Sequence, residues 1–478
     1  MGAITCIRKA NWVIGWDSAN LRHTFLRDAD VVFDADTITF VGKGYEASVD
    51  IEVDGSRLFV IPGLLDTHSH PSTESSFRGI REEHGVPEMY MSGLYERGQA
   101  FRLDEDGKLA SAEVAYCELL KSGVTSICDQ SEPYPGWIDL IAKSGIRGFL
   151  APGYASSRWH LDNRHQLKYT WDEPKGRRDF EDCLQLIDRV QEHECGRLSG
   201  VLFPRQIDTC TEDLLRDSAA AAQDRNLPIA THASQSVNEF YVMVDRYGKT
   251  PVQWAHEIGL LGPNCTLGHA VFVDEHSWLH WATRDDVRLL AETGTTVAHC
   301  PSPFARYGQK LEHVGKYLKA GVNLGIGTDV APHNLLEEMR WAAVLARIAA
   351  EDITSVTTAD IFYAATVGGA RSLLHDDLGR LAPGCKADVV LVDLDHPLMQ
   401  PARDPLRCLV YTAAERAVRD VYVDGILVVK DHQVLTLDHA EALGRLAEAQ
   451  ARMEAAVPGH DYAARSALEI APLSLPTV

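Results

Sequence analysis

VIPGLLDTHSH, residues 60–70, is an apolar run that ends in two histidines one residue apart. Residues 58–65 lack the apolar–polar alternation of a half-wet strand and read as a strand buried on both faces. His68 and His70 follow it at positions i and i+2 of an extended segment. Their imidazoles therefore project to the same side and can grip one ion. Alone, the pair is weak. With 20 histidines in 478 residues, roughly one such pair is expected by chance.

The surroundings strengthen it. Further apolar strands are expected at 124–128, 147–150, 200–203, 228–232, 265–269, 295–299 and 322–329. Amphipathic helices fall between them, for example at 111–121, 180–192, 211–224 and 278–292. His232 ends the fifth strand (PIATH), His269 the sixth (CTLGH), His299 the seventh (TTVAH) and Asp329 the eighth (LGIGTD). Eight strands alternating with helices is the count of an α/β protein of the (β/α)8 barrel type, whose catalytic groups gather at the carboxyl ends of strands. A doubly wound open sheet would bring a glycine-rich phosphate turn after an early strand, and no GxGxxG occurs. A single histidine at a strand end is usually a hydrogen-bonded structural residue, and GTD alone can be a capping turn. Five histidines and an aspartate, all at the same end of their strands, point instead to a metal site.

Composition narrows the class. The net charge of −22 and the lack of any Lys/Arg-rich run argue against nucleic acid as a partner. With 45% apolar and 24% charged residues the chain is globular. No apolar run reaches the roughly 18 residues of a membrane span, and the start is too polar for a secretory signal. Ten cysteines are scattered without a CxxC. A soluble, cytoplasmic protein is expected. Strand alternation at 4–7, 12–14, 30–33, 38–41 and 51–53 returns at 387–392, 409–411, 418–423 and 427–429. The expected plan is a composite β-sandwich domain, 1–57 plus 378–437, beside a barrel at 58–377. A tail at 438–478 carries a helix at 441–456.

These motifs reach a family. VIPGLLDTHSH, THA at His232, GHA at His269, VAHCPSP at His299 and GTDVAPHN at Asp329 resemble the amidohydrolase superfamily. The nearest branch is the aminohydrolase/chlorohydrolase group of cytosine, guanine and S-adenosylhomocysteine deaminases and triazine hydrolases. LGRLAPGCKADVVLVDL, residues 378–394, is similar to that branch's second β module. The resemblance implies one divalent ion, Zn2+ first and Fe2+ second, held by His68, His70, His232 and Asp329. It places His269 at the hydrolytic water or the substrate, His299 nearby in the pocket, and implies a homo-oligomer. Dinuclear relatives bridge their ions with a carboxylated lysine on the fourth strand. No lysine occurs between Lys175 and Lys249, so one ion is expected.

The implied chemistry follows from charge. A bound divalent ion lowers the pKa of its water to about 7. Asp329 would take the proton and pass it to the leaving group, a relay worth roughly 10²–10⁴-fold. His269 would stabilise developing charge or orient the water.

Two departures bear on the substrate. Deaminases of this branch carry HxxE after the fifth strand, whereas residues 232–235 read His-Ala-Ser-Gln. The Gln235 amide donates a hydrogen bond but cannot transfer a proton. Either Glu239, Glu74 or Glu132 protonates the substrate, or the substrate is an amide, urea or carbamate that needs no such acid; the second is favoured. The usual HCPxSN is also replaced by HCPSPF at 299–304, which points away from common purines and pyrimidines. Residues 154–174 read as a long aromatic and basic loop in which Trp159 can stack on a flat ring and Arg158 or Arg164 can meet a carboxylate. Residues 77–101 offer another wall, and His333 is expected to touch substrate.

The reading is a hydrolase of a non-peptide carbon–nitrogen bond in a small cyclic or aromatic molecule. Its alternative is a deaminase or dechlorinase of a purine, pyrimidine, pterin or triazine. A non-catalytic assembly protein is disfavoured because every ligand position is filled. Neither GxxxxGK[ST] nor HExxH occurs.

Overall fold

The structure is a computed structural model that describes residues 3–80 and 92–477. Part of the expected 77–101 wall, residues 81–91, lies outside the described residues. The chain opens with β1 (Ile4–Asp17), β2 (Arg22–Asp34), β3 (Thr37–Gly42), β4 (Ile51–Asp54) and β5 (Leu58–Pro62). Then come β6 (Leu64–Ser69), β7 (Val124–Ser131), β8 (Arg147–Tyr154) and a hairpin of β9 (Ser157–His160) and β10 (Lys168–Trp171). Next are β11 (Leu198–Gly200), β12 (Phe203–Pro204), β13 (Ile229–Ala233), β14 (Cys265–His269), β15 (Thr296–His299) and β16 (Asn323–Ile326). Last are β17 (Val389–Asp393), β18 (Val418–Val423), β19 (Ile426–Lys430) and β20 (Gln433–Val434).

The strands that carry the histidines are parallel. One group runs β6-β7-β8 with β11 and β12 both on β8, and the other runs β13-β14-β15-β16. Isolated parallel bridges, Leu202 to Ile229 and Ser69 to Asp329, tie the groups to each other. Strands β6, β7, β8, β13, β14 and β15 are buried throughout, on both faces. Helices such as Glu105–Lys121, Glu173–Gln191, Glu212–Arg225 and Leu335–Ala350 alternate with them. The fold is mixed α/β.

Four expected elements differ. Residues 58–65 are not one strand: β5 pairs with β1 and β17 in the outer sheet, and β6 starts the parallel set. Gly63 makes the break, where a Cβ would lie 2.0 Å from Thr125 Oγ1. Residues 409–411 are helical turns, not a strand, following the short helix Pro405–Cys408. Leu409 and Val410 are buried there, and Arg340 Nε donates to the Val410 carbonyl at 2.8 Å. The 154–174 loop contains the β9–β10 hairpin. The helix expected from 278 starts only at Asp286, where the Asp274 carboxylate takes the N–H groups of Asp285 and Asp286.

Both chain ends build one nine-stranded sheet, ordered β20-β19-β18-β17-β5-β1-β2-β3 with β4 on β1. Two facing layers were the expectation; a single rolled sheet supplies them. The long strand β1 bulges at Lys9, φ +51°, with a register shift between Ile7 and Ala10. Phe33 of β2 and Tyr422 of β18, well apart in the strand order, bring their rings to 5.3 Å. Ile7, Val31, Val60 and Leu391 fill the core that this rolling encloses. The tail helix His439–His460 packs on Glu105–Lys121 through Ala110, Val114, Ala442 and Leu446. Among the described residues no helix is long and apolar enough to cross a membrane.

One buried acid far from the histidines makes stability pH-dependent. Asp286 accepts from Thr250 Oγ1 at 2.7 Å and from the Asp274 N–H at 2.8 Å. Burial first, and then Asp274, push its carboxyl up to about 7. A raised acid holds its proton more tightly in the fold than in the unfolded chain. Its contribution is therefore complete below the ordinary aspartate value of about 3.9 and is lost as pH rises through the folded value. Asp286→Asn is expected to flatten that decline in urea unfolding measured from acid to neutral pH. An unchanged slope would contradict this.

Candidate metal centre and substrate cavity

The strand ends bring the expected residues together. His70 Nε2 and His232 Nε2 are 3.3 Å apart, although they lie on β13 and just beyond β6. Asp329 Oδ1 is 3.5 Å from His68 Nε2 and 3.4 Å from His70 Nε2. The His68 ring centroid lies 5.0 Å from that of His70, 4.8 Å from His232 and 4.6 Å from His269. Two ligand groups result, His68–His70–His232 and His68–His269–Cys300.

Hydrogen bonding fixes which nitrogen each imidazole offers. His70 Nδ1 faces the Gln130 carbonyl at 2.7 Å, and His232 Nδ1 faces the Arg205 carbonyl at 2.6 Å. A carbonyl only accepts, so each Nδ1 carries the hydrogen and donates it. Both Nε2 atoms then present lone pairs to each other, an arrangement that a bound cation relieves. Burial pushes His70 down to about 4 and His232 and His269 well below the ordinary range, which keeps them neutral. Burial opposes charge on Asp329, but the facing His269 and His68 outweigh it and hold the carboxyl well below its usual range. Neutral imidazoles beside an ionised carboxylate are the donor set of a divalent cation. The residues fit.

The backbone is strained where the chemistry sits. Ser234, His269, Ala270 and Asp329 have φ of +54°, +80°, +42° and +58°. Such positions cost about 1–3 kcal/mol each and persist only when their surroundings over-determine them. Here the Asp329 N–H donates to the His68 carbonyl at 2.8 Å, and the Phe272 N–H to the Ser234 carbonyl at 2.8 Å.

Asp66, which sequence reasoning passed over, is the joint between the two ligand segments. Its Oδ1 accepts from the N–H groups of His68 at 3.1 Å and Thr328 at 3.0 Å, and its Oδ2 from Thr328 Oγ1 at 2.6 Å. It is wholly buried, and burial pushes it up to about 7. An acid directly after the apolar run 58–65 was the available signal.

A cavity of about 590 Å³ opens over the centre, and His70, His232, Asp329, Gln235, Trp159 and Phe304 line it. Two of the four expected substrate contacts, Gln235 and Trp159, therefore face it. His299 and His333 are buried and are not among the lining residues. His333 sits behind the turn that carries Asp329, with Nδ1 3.2 Å from both Ser69 Oγ and Thr328 Oγ1. That is a supporting position. His269 packs edge-on against Phe304 at 4.8 Å.

The three candidate acids separate. Glu239 spends both oxygens on the turn after β13, taking the Ser234 N–H at 2.6 Å and the Gln235 N–H at 2.9 Å. Glu132 lines the cavity but is paired with Arg205, which holds it down to about 2. Glu74 lines the cavity beside Arg97 at 3.3 Å.

Comparison with known proteins agrees with this geometry. Residues 59–428 match the Amidohydrolase family. A 5-methylthioadenosine/S-adenosylhomocysteine deaminase of Natronomonas pharaonis is 33% identical over 430 residues, 89% of this chain and 94% of the relative. A 5'-deoxyadenosine deaminase of Methanothermobacter thermautotrophicus is 30% identical over 406 residues, 84% of this chain and 89% of the relative. The solved atrazine chlorohydrolase from Arthrobacter aurescens TC1, complexed with zinc, has a TM-score of 0.79 at 25% identity over 93% of this chain and 100% of that one. An adenosine deaminase from Xanthomonas campestris with bound zinc shares the fold, with a TM-score of 0.80 at 22% identity over 94% and 98% of the two chains. With its match spanning most of the sequence and its ligand set gathered at strand ends, the chain belongs to the Amidohydrolase family of metal-dependent hydrolases.

Proposed function

We propose that the protein is a mononuclear hydrolase that cleaves a carbon–nitrogen bond at a trigonal carbon of a small ring-bearing molecule, with an amide or urea carbonyl preferred over a ring amidine. The observation that carries it is the pair of Nε2 lone pairs from His70 and His232 facing each other beside Asp329. His68, His70, His232 and Asp329 would hold the ion, zinc first and iron(II) second. A divalent ion there supplies hydroxide at neutral pH by lowering the pKa of its water to about 7. Asp329, ionised, takes the water's proton and delivers it to the leaving nitrogen. His269, neutral and packed against His68, offers an N–H to the developing oxyanion. Gln235 donates a hydrogen bond from its amide and orients the substrate.

The preference for a carbonyl rests on the acids. Ring deamination needs a proton donor at the ring nitrogen, and neither Gln235, Glu239 nor ionised Glu132 supplies one. A second reading, deamination or dechlorination of a nitrogen heterocycle with Glu74 as the acid, is favoured by the deaminase and chlorohydrolase relatives.

The wider reading has a closed (β/α)8 barrel that starts at β6 rather than at residue 58 and runs to 377, supported by the isolated parallel bridges between the two groups. It includes the composite module, now 1–62 with 378–437, the tail at 438–478, a cytoplasmic location, and self-association as the family resemblance implies.

The test loads the protein with zinc and measures aryl amine from aryl amides and phenylureas, and ammonia from adenosine derivatives and aminotriazines. Aryl amine release is expected. Efficient ammonia release instead would overturn the carbonyl preference, and no turnover of any of them would sink the hydrolase reading. Gln235→Glu is expected to raise ammonia release by about 10²-fold, the scale of one general acid, with aryl amide turnover little changed. No gain would show that position 235 is not where the proton enters.

A further inference from the structure

Asp208 follows β12 and is wholly buried, and it does not line the cavity. Its Oδ2 accepts from Trp159 Nε1 at 2.9 Å and from the Tyr169 hydroxyl at 2.6 Å. Trp159 and Tyr169 are register partners across the β9–β10 hairpin. One carboxylate oxygen thus grips both strands at the same rung. Arg246 closes the outer side: its Nη1 donates to the Asp208 carbonyl at 2.6 Å, and its guanidinium lies 4.4 Å over the Tyr169 ring and 5.2 Å over Trp171. On the inner side Tyr95 meets Trp159 edge to face at 4.9 Å, with its own hydroxyl 2.9 Å from Ser236 Oγ. The Leu161 N–H donates to Gln99 Oε1 at 2.8 Å, which ties the hairpin to the helix Ser92–Ala100.

This arrangement is expensive for stability alone. A buried carboxylate loses much hydration, and Asp208 Oδ1 has no hydrogen-bond partner among the described residues. Its service is to aim Trp159. The Nε1 edge is turned to Asp208, and Trp159 lines the cavity. A side chain held in one rotamer loses little entropy when a ligand stacks on it.

We infer that Asp208 is a positioning residue which, by locking Trp159, creates a subsite for a flat aromatic or heteroaromatic ring. The placement of that ring beside the scissile bond rests on the hydrolase reading above; the subsite itself does not.

The experiment uses the full chain and two probes of matched polarity, benzamide and cyclohexanecarboxamide, with binding measured by calorimetry. Asp208→Ala and Trp159→Phe, which deletes the indole N–H but keeps a ring, are each expected to weaken benzamide binding about tenfold. Cyclohexanecarboxamide should change by less than about twofold, and the double variant should lose no more than either single one. Asp208→Asn, which keeps an accepting oxygen, should restore most of the benzamide affinity. In aryl amide turnover the loss should appear in KM, with kcat nearly unchanged. Equal losses for both probes, or native benzamide binding in a folded Asp208→Ala protein, would overturn the assignment. Benzamide binding that depends on Asp208 in a protein that turns over no amide would uphold the subsite and remove the amide preference.

Discussion

Asp329→Ala should reduce kcat/KM by about 10⁴-fold or more, because one substitution removes both an ion ligand and a proton carrier. The carboxylate touches both histidine partners, at 3.5 Å from His68 Nε2 and 3.4 Å from His70 Nε2. Its position is over-determined: the backbone is left-handed, and its N–H is held by the His68 carbonyl. Asp329→Asn separates the two duties. The amide keeps the shape and one oxygen but cannot take a proton, so zinc content should fall less than activity. Steady-state kinetics paired with elemental analysis reads both. A folded Asp329→Ala protein with native rate and native zinc would remove the basis of the mechanism.

Asp66→Ala is expected to cost about 3–5 kcal/mol of stability, because three buried donors lose their acceptor at about 1–3 kcal/mol each. It leaves the N–H groups of His68 and Thr328 and the Thr328 hydroxyl without their acceptor. Those donors flank the two segments that supply His68, His70 and Asp329. Zinc affinity should therefore fall as well, by about 10–100-fold, as for other groups that orient ligands. Urea unfolding with and without chelator, beside a zinc titration, measures the two effects. A stability loss below about 1 kcal/mol with unchanged zinc affinity would show that the joint is dispensable.

The clustering of these positions was legible because strand-end placement is written twice, once in the apolar run and once in the polar residue that stops it. His232, His269 and Asp329 each follow such a run, and the structure brings all three to His68. The depth of a side chain was not written. His299 ends a strand and His333 lies four residues after Asp329, yet both are buried off the cavity wall, because side-chain direction depends on the packing of neighbouring turns. The division at Gly63 was hidden for a related reason. A continuous apolar run looks the same whether it crosses one sheet or two. Residues 409–411, Leu-Val-Tyr, favour strand by composition, but burial against Arg340 and the helix Leu335–Ala350 overrides that preference. The β9–β10 rungs were missed because their donors answer to Asp208, 49 residues downstream of Trp159 and 39 downstream of Tyr169.

The rolled outer sheet also sets a timetable for synthesis. Strand β5 lies between β1 and β17, so its far edge stays open until Val389 and the residues after it leave the ribosome. At roughly 5–20 residues per second the nascent chain carries that bare edge for some tens of seconds. Such an interval gives chaperones a definite target: a growing polypeptide whose first sixty residues wait for their last neighbours.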